Sequence, residues 1–413
     1  MKKYFGTISF IIVTVLILII FYANTTKADQ NLPKFVMKQI AGDTAMNPKA
    51  DGRLYYDSSS RMGMDWKFTT DAKGTNYEKD GLLSNSYEDP QLIKWREQNS
   101  EFMRRKVHSN PQNFYEDDKR IGYVEYTFGE SSVTVAVLNK KTGKINEFET
   151  GIIGLNNNSN FFNVDYVGLY GNEMKIVGRE NYADGGVNDK EVLHLVTINL
   201  KEKKMTNSKK LLVNDDDKMV TEYAFSQSDE VASPDNPLVI SISKMLYKNT
   251  EQLENGESSS PIEKERKYYK LDVKTSELQE IQSAISKDKM DIGLVKNNIL
   301  YGQKRGKEKL VVQPYDLNKK KDLKSIHLDI PTQSNNDESF QMKEEKGKLL
   351  FFTSSGQISK GRVYEGVQTY FPQVFVVDEK SRKLEYGGTL IPKDSESIGK
   401  SGFQININNI HLK

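Results

Sequence analysis

The chain has 413 residues, 37% of them hydrophobic and 28% charged, with 59 Lys and Arg against 57 Asp and Glu and a net charge of +2. This is ordinary for globular material and too polar for a multi-span membrane protein, and charges so evenly interleaved form no clustered basic surface of the kind nucleic acid requires. There is no cysteine, so disulfides, thiolate metal sites, cysteine nucleophiles and an acylated-cysteine anchor are excluded.

The chain begins MKKYFGTISFIIVTVLILIIFYANTTKADQ. Tyr4 to Thr26 is uncharged, Ile8 to Tyr22 is almost continuously apolar, and Lys2 and Lys3 precede it. Such a segment can cross a hydrocarbon layer as a helix, with the lysines holding its start inside. Residues 1–28 are therefore expected to be a signal anchor, or a signal peptide cut after the small residues Thr26 and Ala28. Either way the bulk of the chain is extracytoplasmic: a single-pass protein of the cell membrane, or a secreted one if the signal is cleaved.

Residues 29–118 are expected to form a stalk or accessory segment. Its first part, with GRLYYDSSSRMGMDWKF and Gly- and Asp-rich turns, supports no assignment beyond stalk or extra strands. SYEDPQLIKWREQNSEFMRRKV predicts a helix over about 89–107, with Asp89 able to cap, Pro90 at the first position and Arg104, Arg105 and Lys106 complementing the C-terminal dipole. Leu92, Trp95, Phe102 and Met103 make a loose apolar stripe, expected to face the protein's own core, with a partner-binding helix as the alternative.

From residue 119 onward one pattern recurs: VAVLNKKTGKI at 135–145, VTINLKEKKM at 196–205, YKLDVKTSEL at 269–278, PYDLNKKKDL at 314–323 and FVVDEKSRKL at 375–384. Apolar residues alternate at period two, as in a half-buried strand. An Asn or Asp follows with Lys, Thr, Ser or Gly, side chains suited to a tight reversal. Each echo is read as a β-hairpin. Aligned on Asn139, Asn199, Asp272, Asp316 and Asp378 they step by 60, 73, 44 and 62 residues, the size of a four-stranded propeller blade with loops of varying length. A second hairpin precedes several echoes, at 165–178, 292–303 and 340–353.

The expected fold is an all-β β-propeller over 119–413 with five blades, six or seven if residues 50–80 add strands. The first unit shows strands at 120–128, 132–139 and 145–150 but no innermost strand. FQININNIHLK at 403–413 is amphipathic and unpartnered, and is expected to fill that place beside Ile121–Phe128, closing the ring and removing exposed edges.

The form in LNKKTGKI, and more weakly in LDVKTSEL and VDEKSRKL, resembles the repeats of bacterial extracytoplasmic propellers, including the quinoprotein and YVTN types. The resemblance spans residues 120–413 in outline and implies the fold alone. No Trp follows the turns, the two tryptophans being Trp66 and Trp95, so no quinone site is carried over.

No chemistry declares itself in the sequence. His108, His194, His327 and His411 lack metal-ligand spacing and are read as structural. The acidic runs at 116–118, 183–189 and 214–217 lack the order of a calcium loop and are read as solvated. There is no serine elbow, phosphate loop or dinucleotide fingerprint. Catalytic, cofactor and metal residues are accordingly expected to be none.

The connections between second and third strands are long, at 180–191, 248–266 and 354–369, and loops longer than their span requires tend to carry function. In the last of them Arg362, Tyr364 and the flanking Tyr370 are the candidate binding residues, offering amphipathic contact area. The expectation is a membrane-anchored binding or scaffolding module for an envelope protein or polymer. Alternatives are a glycoside-acting hydrolase with channel carboxylates, and an extracellular sensor domain for a membrane signalling protein.

Overall fold

The computed structural model describes residues 13–16, 32–42, 46–57, 65–78, 90–104, 106, 110–127, 132–152, 159–182, 190–213, 220–226, 237–246, 262–306, 308–329, 340–353, 355–358, 371–393 and 402–412. Among them no helix is long and apolar enough to cross a membrane. The expected anchor, apart from the helical residues 13–16, lies outside the described residues.

Four strands come first: β1 (Phe35–Gly42), β2 (Lys49–Asp57), β3 (Asp65–Thr70) and β4 (Thr75–Glu78). The expected stalk is thus largely strand, and it is built into sheets whose other strands come from the far end of the chain. The helix predicted over 89–107 is two shorter ones, α1 (Pro90–Gln98) and α2 (Ser100–Met103), broken at Asn99 and ended where Arg104 turns extended.

Residues 85–329 form one compact unit of four antiparallel sheets laid down in chain order. The first holds β5 (Phe114–Glu116), β6 (Arg120–Thr127), β7 (Ser132–Asn139) and β8 (Ile145–Gly151); the second β9 (Ser159–Tyr170), β10 (Glu173–Tyr182), β11 (Lys190–Asn199) and β12 (Lys204–Val213). The third holds β13 (Val220–Phe225), β14 (Leu238–Leu246), β15 (Ile262–Asp272) and β16 (Glu277–Glu280). After the single turn α3 (Ala284–Lys287), the fourth holds β17 (Asp291–Lys296), β18 (Ile299–Arg305), β19 (Lys309–Asp316) and β20 (Lys321–Asp322), with β21 (Ile326–Asp329) also on β19.

One apolar core joins the first three sheets of this unit, with Val124 and Val135 from the first, Ile176 and Val196 from the second and Ile240 and Leu271 from the third. A second core joins the third and fourth sheets through Tyr268, Ile285 and Leu300. The remaining face of the first sheet is covered by α1 and α2, whose Leu92, Trp95, Phe102 and Met103 bury against Phe114, Ile121, Tyr123 and Leu138. The helical stripe faces the protein's own core, as its spacing predicts.

The second unit joins the two ends of the chain, residues 1–84 and 330–413. Its later strands are β22 (Phe340–Glu345), β23 (Lys348–Thr353), β24 (Ser355–Ile358), β25 (Gln373–Asp378), β26 (Leu384–Pro392) and β27 (Gly402–His411). One sheet runs β22-β23-β25-β26-β1 and the other β24-β27-β2-β3-β4. Their shared core includes Phe35, Leu54, Leu350, Val376, Ile405 and Ile410.

The ring-closing partner expected for the C-terminal strand is corrected here. β27 pairs with β2, Leu54 opposite Ile405, and not with Ile121–Phe128. The free edge of β6 is taken by β5, with Phe114 opposite Tyr123. Asp117 makes that pairing local, since its Oδ1 accepts from the amides of Lys119 and Arg120 and folds the chain back at once. A strand of three residues shows no legible alternation, which is why it escaped the pattern. The described residues form six sheets where the echoes led to an expectation of five, and the sheet without an echo is the one built on β2, β3 and β27.

All five echoes are hairpins: β7–β8, β11–β12, β15–β16, β19–β20 and β25–β26. Their turns share one construction. The Asn or Asp side chain accepts from backbone amides two or three residues on, as Asn139 does from Lys141 and Thr142 and Asp378 from Ser381. Four residues on, the backbone is left-handed: Gly143, Lys203, Ser276, Lys320 and Arg382, φ between 52° and 68°. Only one of the five is glycine, the residue that adopts this region without a Cβ penalty. Gly143→Ala is expected to cost about 1 kcal/mol, and Lys320→Gly and Arg382→Gly to fall within about 1 kcal/mol of wild type, strain relief offsetting chain entropy. Urea unfolding of the three variants checks this.

In four sheets the next residue donates its amide to a carbonyl of the neighbouring turn: Lys140 to Lys119, Leu200 to Asn172, Leu317 to Asn298 and Glu379 to Gly347. The β2–β3–β4 sheet repeats the device in altered form. Asp71 accepts from Lys73 and Gly74, and Ala72 donates to the Asn47 side chain. In this sheet one strand beside β2 is β27, from the opposite end of the chain, so no turn joins them and an Asn side chain supplies the acceptor. Asn47→Ala is expected to cost about 1 kcal/mol, read as a lowered midpoint in urea.

The carboxyls of Asp316 and Asp378 are held below their ordinary value, Asp316 first by the Lys319 amide and Asp378 first by the Lys348 ammonium. A group depressed in the folded state contributes stability above its unfolded pKa, about 3.9, that is lost as pH falls through the folded value. These turns therefore loosen in strong acid.

Candidate functional site

Arg362, Tyr364 and Tyr370 lie outside the described residues. The connection that carries them begins as β24, which pairs with β27, Gly356 opposite Ile405. Its start is therefore part of a sheet. Of the acidic runs, 183–189 and 214–217 lie outside the described residues. In 116–118, Glu116 receives the indole N–H of Trp95 at 3.3 Å and the amide of Gln91 at 2.9 Å and pairs with Lys140 at 2.6 Å, while Asp117 serves its turn. Among the described residues no three His, Asp or Glu side chains group as metal ligands.

A group of buried and half-buried ionisable side chains lies on β9, β10 and β11, toward the end from which the 183–189 connection leaves. It begins with a β-bulge. Tyr166 pairs with Val177 and Val164 with Gly178, leaving Asp165 as the extra residue. Bulges re-aim side chains, and this one seats the Asp165 carboxylate in a bidentate pair with Arg179, both N···O distances 2.9 Å. Arg179 also lies 3.6 Å from Glu191 and stands over the ring of Phe225 at 5.7 Å. Burial pushes the Asp165 carboxyl above its ordinary value, with Arg179 pulling the other way. Burial would lower the Arg179 pKa, but the hydrogen bonds and charge of Asp165 raise it on balance. A planar fork matched to one carboxylate is a rigid arrangement. Its chemistry is to position β9 against β10.

The opposite face of β10 and β11 carries Glu180 and His194, both fully buried, with Nε2 and Oε2 2.8 Å apart. The Ser208 hydroxyl on β12 lies 3.3 Å from the other ring nitrogen. The sequence showed His194 as a strand histidine but put Glu180 at the start of the 180–191 connection, whereas β10 runs on to Tyr182 and β11 begins at Lys190; the register makes the two diagonal neighbours, His194 opposite Gly178 and Glu180 opposite Val192. Of the other histidines, His327 is exposed on β21, His411 reaches Asp51 at 3.1 Å, and His108 lies outside the described residues.

No known protein family matches the sequence, and no curated protein matches it. Many solved structures overlap it at low similarity, these three among them. One comes from a structural and mechanistic study of two prolyl endopeptidases, with 13% identity over 92% of this chain and 49% of that one and a TM-score of 0.29. This chain thus spans about half the length of that structure. Hydrazine synthase of Kuenenia stuttgartiensis gives 11% identity over 69% and 67% of the two chains, TM-score 0.29. The β-propeller domain of the Trilobed protease of Pyrococcus furiosus, described as having an open velcro topology, gives 8% over 83% and 81%, TM-score 0.26. At such scores the overlaps carry no argument. The all-β assignment, in antiparallel sheets of blade form, rests on the sheets themselves.

Proposed function

We propose that the six sheets are blades of a β-propeller held outside the cell membrane by the N-terminal apolar segment, and that the chain works as a binding or scaffolding module for an envelope protein or polymer. The observation that carries this reading is an asymmetry between the two ends of the sheets. At one end the turns are short and bonded to each other, Lys140 to Lys119 and Glu379 to Gly347 among them. At the other end leave the long connections after β10, β14 and β23. Described charges near that end are committed internally, as in Arg179 with Asp165 and Arg266 with Glu263 and Asp291. Recognition then falls to the connections, with Arg362, Tyr364 and Tyr370 the first positions to examine.

A photocrosslinking amino acid placed in turn at 362, 364 and 370, and for comparison at 142, 275 and 381, tests this in intact cells. Adducts with an envelope component at the first three positions alone are expected. Equal labelling from the turn positions, or no adduct from any of the first three, rejects the reading.

A further inference from the structure

We propose that the outward face of the β1–β26 strand pair rests on anionic lipid headgroups, so that the folded chain lies against the membrane its N-terminal segment enters. This rests on the anchor in the proposed function and adds to it a surface and a lipid chemistry. The uncharged stretch ends at Thr26, and five residues, 27–31, separate it from Leu32. From Leu32 onward the chain is fixed. Leu32 belongs to the core of this unit, the Pro33 carbonyl accepts from the Tyr77 hydroxyl, and the Phe35 amide donates to Thr75 Oγ1 at 2.7 Å. An extended chain spans about 3.3–3.6 Å per residue, so Leu32 lies no more than about 20 Å from the end of the apolar stretch.

What β1 presents there is basic and aliphatic. Phe35 and Met37 turn into the core, so period-two alternation puts Lys34, Val36 and Lys38 on the outward face. β26 continues that face: Ile391 stands opposite Val36 and Thr389 opposite Lys38, and the Lys393 amide donates to the Lys34 carbonyl at 2.7 Å. The Met37 amide donates to the Asp71 carbonyl at 3.0 Å, which brings in the turn that carries Lys73. Lys34, Lys38, Lys73 and Lys393 are all exposed, and none pairs with a carboxylate among the described residues. Asp71 accepts from the amides of its own turn, Lys73 and Gly74. Val36 and Ile391 are half-buried, and Ile40, the extra residue of a bulge, is exposed.

Lysines interleaved with aliphatic side chains suit a headgroup layer, where ammonium groups meet lipid phosphates and apolar side chains reach the boundary beneath them. Four lysines are too few for the stripe that nucleic acid requires. Each lysine near an anionic surface contributes about fivefold. Because the anchor already holds the chain at the surface, that attraction sets orientation rather than attachment, and three lysines favour the docked state by about a hundredfold.

The chain has no cysteine, so a fluorophore can be attached at Val36→Cys alone. The full chain is reconstituted into vesicles of phosphatidylcholine, with and without phosphatidylglycerol, that carry a spin-labelled headgroup as quencher. Strong quenching is expected with phosphatidylglycerol, and it should be lost in high salt and in the triple variant Lys34→Glu, Lys38→Glu, Lys393→Glu. A label at Ser381→Cys, exposed in the turn between β25 and β26, should stay bright. The salt measurement needs no lysine variant, so it decides the matter even if the triple variant fails to fold. An unquenched Val36 label, equal quenching in pure phosphatidylcholine, or a Ser381 label quenched as strongly overturns the proposal. Flotation separates it from the anchor: a chain that leaves the vesicles refutes the anchor and this contact with it, whereas one that stays with them while the Val36 label remains bright refutes the headgroup contact alone.

Discussion

Deletion of residues 402–413 is expected to unfold the unit made from the two ends of the chain. β27 lies between β24 and β2 and buries Ile405, Ile407 and Ile410 almost completely. Each such side chain stabilises by about 1.5–3 kcal/mol against a whole margin of about 5–15 kcal/mol, so removing all three takes most of it. The deletion also exposes the paired edges of β2 and β24, which invites aggregation. The end of the chain is held by polar contacts as well: the Lys343 ammonium bonds Asn409 Oδ1 at 2.8 Å and the Ile410 carbonyl at 2.9 Å, and Lys346 bonds the Leu412 carbonyl at 2.9 Å. Lys346 is exposed, so Lys346→Ala should change stability by no more than about 1 kcal/mol. Thermal melting separates the two results, and a truncated protein that melts like the intact one would refute the role given to β27. The register can be checked directly in a chain without thiols. Cysteines at Lys49 and His411, opposite one another, should join on oxidation. Cysteine at Ile407 with cysteines at 122–127 should not.

The second large effect is expected at Trp95. Its side chain is buried against Phe114, ring centroids 5.3 Å apart, and its indole N–H reaches Glu116. Trp95→Ala opens a cavity in the only apolar layer described over that face of the β5–β8 sheet and leaves Glu116 short of a donor. A loss of about 3–5 kcal/mol is expected. Ile93, on the same helix but exposed, should tolerate alanine within about 0.5 kcal/mol. Urea midpoints for the two variants decide it, and equal shifts would mean that the helix does not seal the sheet. Lys106 belongs to the same layer, buried with its ammonium 2.9 Å from Glu147 and about 5 Å from the Phe102 and Tyr123 ring centres.

The hairpins were legible in the sequence because each depends on local chemistry. An Asn or Asp at the turn, a left-handed residue four positions on and alternation at period two all lie within a dozen residues. The sixth turn, at Asp71, uses the same side-chain bond with the spacing shortened to Gly74. It was overlooked because β3 and β4, at six and four residues, give too little alternation to stand out. The candidate site was hardly legible at all. Asp165 and Arg179 are fourteen residues apart, as are Glu180 and His194, and no periodicity marks such pairs. A bulge brings the first together and a diagonal across two strands the second.

What the sequence determined by itself was the unit of construction: strand pairs with Asx turns, about sixty residues to a repeat, with the apolar face of the helix turned inward. What only the tertiary structure decided was which edges meet. An amphipathic strand such as β27 matches any open edge of the right register, and β2 and β6 both alternate well enough to accept it. β27 goes to β2 because the Asp117 turn gives the β6 edge to β5. A hairpin closes over three residues at little entropic cost, whereas joining the two ends of the chain closes a loop of hundreds, so the distant strand takes the edge that local pairing leaves free.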